Sequence, residues 1–196
     1  PYLTALIRRD LIRLQRCLAE NPEVESARLK DVLGEEMATA GDAAAAKRAL
    51  RAYKNGIALL TALADTGGVW PVMTVTRVLS DAADAAVSSA VRFLFRQAVS
   101  SGQWPASNAD APEARSGFFV LAMGKHGAFE LNYSSDIDLI VFFDRERAHF
   151  IGQGDLQSFF VRMTRDLVAL IEERTPDGYV FRTDLRLRPD AGATQV

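Results

Sequence analysis

The chain has 196 residues, 48% of them apolar and 24% charged, with a formal net charge of -2. That length supports one sizeable core or two small ones, and the near-neutral charge lacks the broad basic field expected of a nucleic-acid binder. Cys17 is the only cysteine, which excludes an intrachain disulfide and a cysteine-built zinc site and fits a reducing, cytoplasmic setting.

No apolar run reaches the roughly 18 residues that a membrane-spanning helix requires. The chain opens on Pro1-Tyr2 and stops at Gln195-Val196. Both ends read as cut, so an interior piece of a longer protein is expected. Leu3, Leu6, Ile7, Leu11, Leu14 and Leu18 recur at helical spacing, and Asn21-Pro22 closes that run. A second helix is expected after the alanine-rich stretch at Asp42, with Leu50, Tyr53, Ile57, Leu60 and Leu63 on one stripe. Pro71 to Thr74 offers a new start. Beyond it Val75, Val78, Leu79, Ala82, Ala86, Val91, Leu94 and Phe95 predict a long buried helix.

From Ser101 to Ser116 the composition turns to Gly, Pro, Ser, Asn, Asp and Ala, which marks a linker. The apolar run Phe118 to Met123, stopped by Gly124, predicts a buried strand, with a helix starting within Gly127 to Leu131. Ile137 to Phe143 predicts a second strand. Leu156, Phe159, Phe160, Met163, Leu167, Leu170 and Ile171 restore helical spacing, Thr175 to Gly178 reads as a turn, and Tyr179 to Arg188 alternates as a third strand. The expectation is an α+β chain: a helical domain over 1–100, a linker over 101–116, and an α/β core with a small mixed sheet over 117–196.

Three features in the core carry chemistry. Asp136 and Asp138, two residues apart on a strand, point to one face about 6.5 Å apart along the chain. Ile137 and Leu139 point the other way. Paired carboxylates at that spacing can share one or two divalent cations such as Mg²⁺, which takes oxygen ligands, although Asp-x-Asp also occurs by chance in loops. Gly124-Lys125 precedes the pair by the ten residues His126 to Ser135. A glycine there allows close approach to a phosphate, helix amides beyond it can face an anion, and Lys125 can add a point charge. The plain alternative is a strand-to-helix turn. On the third segment, alternation puts Arg182, Asp184, Arg186 and Arg188 on one face. Asp184 can be a third metal ligand or a general base and the arginines can neutralise phosphate; a solvated ion-pair face is the alternative.

Gly-Lys, ten residues, Asp-x-Asp, a helix and a third-strand Asp together resemble the polymerase-β-like nucleotidyltransferase pattern. The likeness narrows over Leu121-Ala-Met-Gly124-Lys125-His-Gly127-Ala-Phe-Glu130-Leu131-Asn132-Tyr-Ser134-Ser135-Asp136-Ile-Asp138-Leu139-Ile140. That stretch is similar to the signature of glutamine synthetase adenylyltransferase/adenylyl-removing enzymes. Asp184-Leu-Arg186-Leu-Arg188-Pro189 resembles their next motif. The Asn132 and Asp-Ile-Asp form is closer to the deadenylylating copy of the two domains such enzymes carry. Weaker likeness runs back through Leu59 to Asp65 and Val78 to Asp84. The family commonly has Leu and Gly where His126 and Ala128 stand; His126 reads as a tolerated surface substitution and His149 as solvated.

The resemblance implies phosphorolysis of adenylyl-tyrosine on glutamine synthetase, giving ADP and free tyrosine. It implies Mg²⁺ on Asp136, Asp138 and Asp184, the last completing the ligands or orienting phosphate. Gly124 and Lys125 would cradle phosphate, Ser134 and Ser135 would donate to it or cap the turn, and Arg186 and Arg188 would neutralise it. A nitrogen-regulatory signal protein is an implied partner through the rest of the longer chain. Two readings stand beside this one: ATP-dependent adenylylation of the same tyrosine, and a catalytically silent nucleotide-binding regulatory module. A template-directed polymerase fits poorly with the acidic balance.

Overall fold

Side-chain caps set most of the helix starts. Asp10, Asn21, Asp42 and Asp155 each accept hydrogen bonds from backbone N–H groups of the turn that follows, satisfying donors that lack partners within the helix. A computed structural model describes residues 2–106 and 111–185. Five helices come first: α1 (Tyr2–Arg9), α2 (Leu11–Ala19), α3 (Pro22–Thr39), α4 (Ala43–Thr66) and α5 (Val72–Ser100). Strand β1 (Phe118–Met123), helix α6 (Gly124–Gly127), strand β2 (Ile137–Phe143), helix α7 (Leu156–Glu172) and strand β3 (Thr183–Asp184) follow. Helices followed by a small mixed sheet make the expected α+β architecture.

The first helical run differs from its expectation. Asp10 interrupts it as the cap of α2, and the apolar stripe does not continue across the break. Leu6 and Cys17 enter the core, whereas Leu11 and Leu18 are 62% and 67% exposed. Asn21-Pro22 not only closes this run but opens α3, whose Leu29, Leu33 and Met37 are buried at four-residue spacing. The stripes expected on α4 and α5 do face the core: Leu50, Tyr53, Ile57 and Leu60 are buried, as are Val75, Leu79, Ala82 and Ala86.

β1 and β2 pair antiparallel, and α7 crosses over to bring β3 in parallel beside β2. Alternation then sorts the sheet: Ile137 and Leu139 are buried on the inner side. Trp104, between α5 and β1, is buried with them. Its ring lies 5.1 Å from Phe95 of α5 and 5.7 Å from Phe159 of α7, and Phe118 stacks on Phe160 at 5.2 Å. This aromatic cluster joins the helical part to the sheet through one continuous core.

A second join is polar. Arg51 of α4 has no exposed surface and donates to the carbonyls of Lys47, Leu170, Glu173 and Gly178. It thereby caps the C-terminal carbonyls of α7 and fixes the Thr175–Gly178 turn. Burial lowers the guanidinium pKa below its ordinary value.

Two elements are shorter than their expectations. The third strand pairs only at Thr183 and Asp184 among the described residues. Upstream, the Val180 amide donates to Ile171 at the end of α7 and the Val180 side chain is buried, so that stretch serves α7 instead of the sheet. The helix near Gly127 forms instead over Gly124–Gly127, because Phe129 takes a left-handed φ of 59° that ends it. Among the described residues, no helix is long and apolar enough to cross a membrane.

Candidate active site

The register of the sheet brings the acidic residues to one place. Asp138 of β2 is the direct partner of Asp184 of β3, and of Met123 on the other side. Both carboxylate residues are half-buried. They lie on the face opposite Ile137 and Leu139, as strand alternation requires. Asp136 stands one residue before β2 and is exposed; its carboxylate accepts a short hydrogen bond from Nε of Arg182, which also donates to the Ser134 carbonyl at 3.0 Å. The Asp136 contact raises the Arg182 pKa above its ordinary value, chiefly through the hydrogen bond. Asp138 and Asp184 are thus adjacent, while Asp136 is committed to an arginine. Among the described residues, no group of three or more His, Cys, Asp or Glu side chains is gathered into a metal-holding cluster.

Gly124 sits directly against Asp138 of this pair. Its φ is 54°, and a Cβ there would lie 2.5 Å from Oδ2 of Asp138. Only glycine combines that backbone conformation with that approach. Lys125, next along, is exposed. Ser135 acts within its own turn: its hydroxyl accepts the Asn132 amide at 3.2 Å. Ser134 is exposed and its carbonyl is the group that Arg182 holds. Arg186 and Arg188 lie outside the described residues.

An all-oxygen donor pair in register on an open sheet face, with a glycine backbone pressed against it, suits a hard divalent cation and a phosphate-bearing ligand. Comparison with known proteins identifies the family. The profile of the glutamate-ammonia ligase adenylyltransferase family matches residues 1–196. The chain belongs to this family. Over its full length it is 52% identical to a bifunctional glutamine synthetase adenylyltransferase/adenylyl-removing enzyme of Bradyrhizobium sp. (strain BTAi1). Identity to the proteins of that name in Bradyrhizobium diazoefficiens and Xanthobacter autotrophicus is 50% and 48%. The chain spans 20% of the length of each of these relatives.

One residue of this adenylyltransferase-family chain is misplaced by the sequence reading. His126 is not a surface substitution: it is 2% exposed, and its Nε2 lies 2.8 Å from Oδ1 of Asp84 on α5. His149 is exposed, as its polar surroundings suggest. Tyr133, three residues before Asp136, donates its hydroxyl to Asp65 at the end of α4 at 3.0 Å. Burial and then Asp65 push the phenol pKa up. The two stretches of weaker likeness, ending at Asp65 and Asp84, therefore meet the segment between β1 and β2 in space. That link was hidden in the sequence, because Asp84 and His126 are 42 positions apart and nothing local marks them as partners.

Proposed function

We propose that the chain carries the active site of a Mg²⁺-dependent nucleotidyltransferase that removes adenylyl groups from glutamine synthetase. The observation that supports this best is the lateral pairing of Asp138 with Asp184 under the Gly124 backbone. A purely structural sheet gains nothing from two acids side by side, since like charges in register repel. The motifs around Asn132 and Asp136–Asp138 favour the deadenylylating direction.

In this reading Asp138 and Asp184 hold the cation, joined by Asp136 when it exchanges Arg182 for the metal. When bound there, Mg²⁺ would supply charge neutralisation at the transferred phosphoryl group. Gly124 leaves room for a phosphate oxygen against the turn, and Lys125 supplies a positive charge from its rim. Arg182, released from Asp136, would stand beside the same acids as a further phosphate ligand, and Arg186 and Arg188 are assigned the same task from their motif. Inorganic phosphate attacks the α-phosphorus of adenylyl-tyrosine. The new P–O bond gives ADP, and the bond to the phenolic oxygen breaks to return the tyrosine. A phenol with an ordinary pKa near 10 is a competent leaving group and nucleophile, so direction is set by concentrations and by regulation.

The test is to give the intact protein adenylylated glutamine synthetase, Mg²⁺ and phosphate, and to measure ADP. Release of ADP that requires both phosphate and Mg²⁺ supports the reading. Transfer of label from ATP to unmodified glutamine synthetase, with no ADP from the adenylylated form, would assign the forward direction. Neither reaction would leave only nucleotide binding.

A further inference from the structure

Helix α5 touches the segment between β1 and β2 at three points along a single stripe. Asp84 holds the buried His126 at 2.8 Å. Ser80, one turn earlier and without exposed surface, accepts the Leu131 amide at 3.2 Å. Arg77, nearly one further turn back, lies 4.0 Å over the Phe129 ring and is itself steadied by Asp81 at 2.9 Å. Positions 77, 80, 81 and 84 fall on one helical face, so a single rigid element grips residues 126, 129 and 131.

The gripped residues are the ones that place Gly124. His126 is the buried residue of α6, the single turn that begins with Gly124. Phe129 carries a left-handed φ of 59°, a conformation that costs a bulky residue about 1–2 kcal/mol and persists only where surrounding contacts enforce it. Beneath this turn Gly124 contacts Asp138 so closely that no side chain fits. A small rotation of α6 would move the glycine backbone off the carboxylate pair.

We propose that Asp84 and His126 are positioning residues, through which α5 sets the Gly124–Lys125 turn over Asp138 and Asp184. This rests on the assignment of that pair as the catalytic centre, and adds to it a control point outside the sheet. The contact is inexpensive to interrogate. The Asp84 side chain is 52% exposed on the surface of a long helix, so its replacement removes the anchor without opening the core.

The experiment uses the intact protein with Asp84→Ala, Asp84→Asn and, in parallel, Asp138→Asn. Displacing a catalytic group by about 1 Å costs on the order of 100-fold, and a partial loss of the anchor should cost at least about tenfold. Asp84→Ala is expected to lower kcat per folded molecule by about that factor, leaving the KM for adenylylated glutamine synthetase near its original value, with a Tm fall of no more than about 2–12 °C from the partner that His126 loses. Asp84→Asn retains an acceptor oxygen for His126 and is expected to restore most of the rate. A normal kcat in Asp84→Ala, a loss that follows Tm, or an Asp84→Asn as slow as the alanine variant would each overturn the proposal. Asp138→Asn separates the two levels. Activity surviving in that variant removes the catalytic assignment itself, whereas an inactive Asp138→Asn beside a fully active Asp84→Ala removes only the positioning role.

Discussion

Arg51 reaches into the segment that links α7 to β3, Arg182 reaches out of that segment to Asp136 and Ser134, and the two are treated in opposite ways. Arg51 is sealed from solvent and bound by four backbone carbonyls; Arg182 is 55% exposed and bound to one exposed carboxylate. A buried cation surrounded by carbonyls cannot change partners without leaving charge and acceptors uncompensated. A surface arginine on a carboxylate loses little by letting go to water. The first arrangement is architecture. The second holds Asp136 by an exposed ion pair that can open to water, beside a pair of acids that the sheet holds in register.

The largest effect expected from this contrast is in the acids. Asp138→Asn or Asp184→Asn in the intact protein should reduce ADP formation about 1,000-fold or more. Losing a charged ligand forfeits several kcal/mol of charge stabilisation, and each 1.36 kcal/mol is about tenfold in rate. For Asp138→Asn thermal unfolding should barely change, or shift upward, because one of two neighbouring like charges has gone. A fall in Tm comparable with the activity loss would place these acids with Arg51 as structural groups.

Arg51→Met reverses the pattern. It takes the arginine donor from the carbonyls of Leu170 and Glu173, the first of them in the interior, at about 1–3 kcal/mol each, while the Gly178 carbonyl keeps the Thr175 amide. A total near 3 kcal/mol lowers Tm by about 6–12 °C in a chain of this size. Activity per folded molecule should be retained. Calorimetry together with ADP assays on the same samples decides it. A variant that is stable but inactive would break the comparison from the other side.

What the sequence made legible follows from how local each signal is. The stripes of α4, α5 and α7 and the strands at Phe118 and Ile137 are written in consecutive residues, and burial only had to act on them. The break at Asp10 was missed because Leu11 and Leu18 keep helical spacing, while the capping bond to the Arg13 amide stops the run. The third strand was overextended because Tyr179 to Arg182 alternate well, yet Val180 bonds to α7. Of the candidate site residues, Asp138, Asp184 and Gly124, which the fold brings together, were each picked out by spacing and alternation, as was Asp136, which the fold leaves on Arg182. Their register was not, since it depends on β3 returning beside β2. His126 was misread for a similar reason: its partner lies on a helix that no sequence pattern aims at it.

Gly124→Ala tests how tightly the backbone and the acids are fitted. The added methyl would meet Asp138 Oδ2 at 2.5 Å in a left-handed backbone, so either the turn or the carboxylate must shift. With displacements of about 1 Å worth on the order of 100-fold, activity should fall about 10- to 100-fold. The strain of about 1–2 kcal/mol lowers Tm by roughly 2–8 °C at most. A fully active alanine variant would show that contact with Gly124 is packing alone.

The smallest expected effect sharpens the contrast most. If Arg182 holds Asp136 against a competing cation, Arg182→Ala frees a ligand that Mg²⁺ otherwise has to win. The Mg²⁺ concentration for half-maximal activity should fall severalfold, with Tm unchanged because the pair is exposed. At saturating Mg²⁺ the rate should be equal to or below that of the parent, since a candidate phosphate ligand is lost as well. Arg182→Lys keeps the charge but cannot span both the Asp136 carboxylate and the Ser134 carbonyl in one planar fork, and should fall between the two. A metal titration that is identical in all three proteins would mean that Asp136 never exchanges its partner, and Arg182 would then join Arg51 as part of the frame.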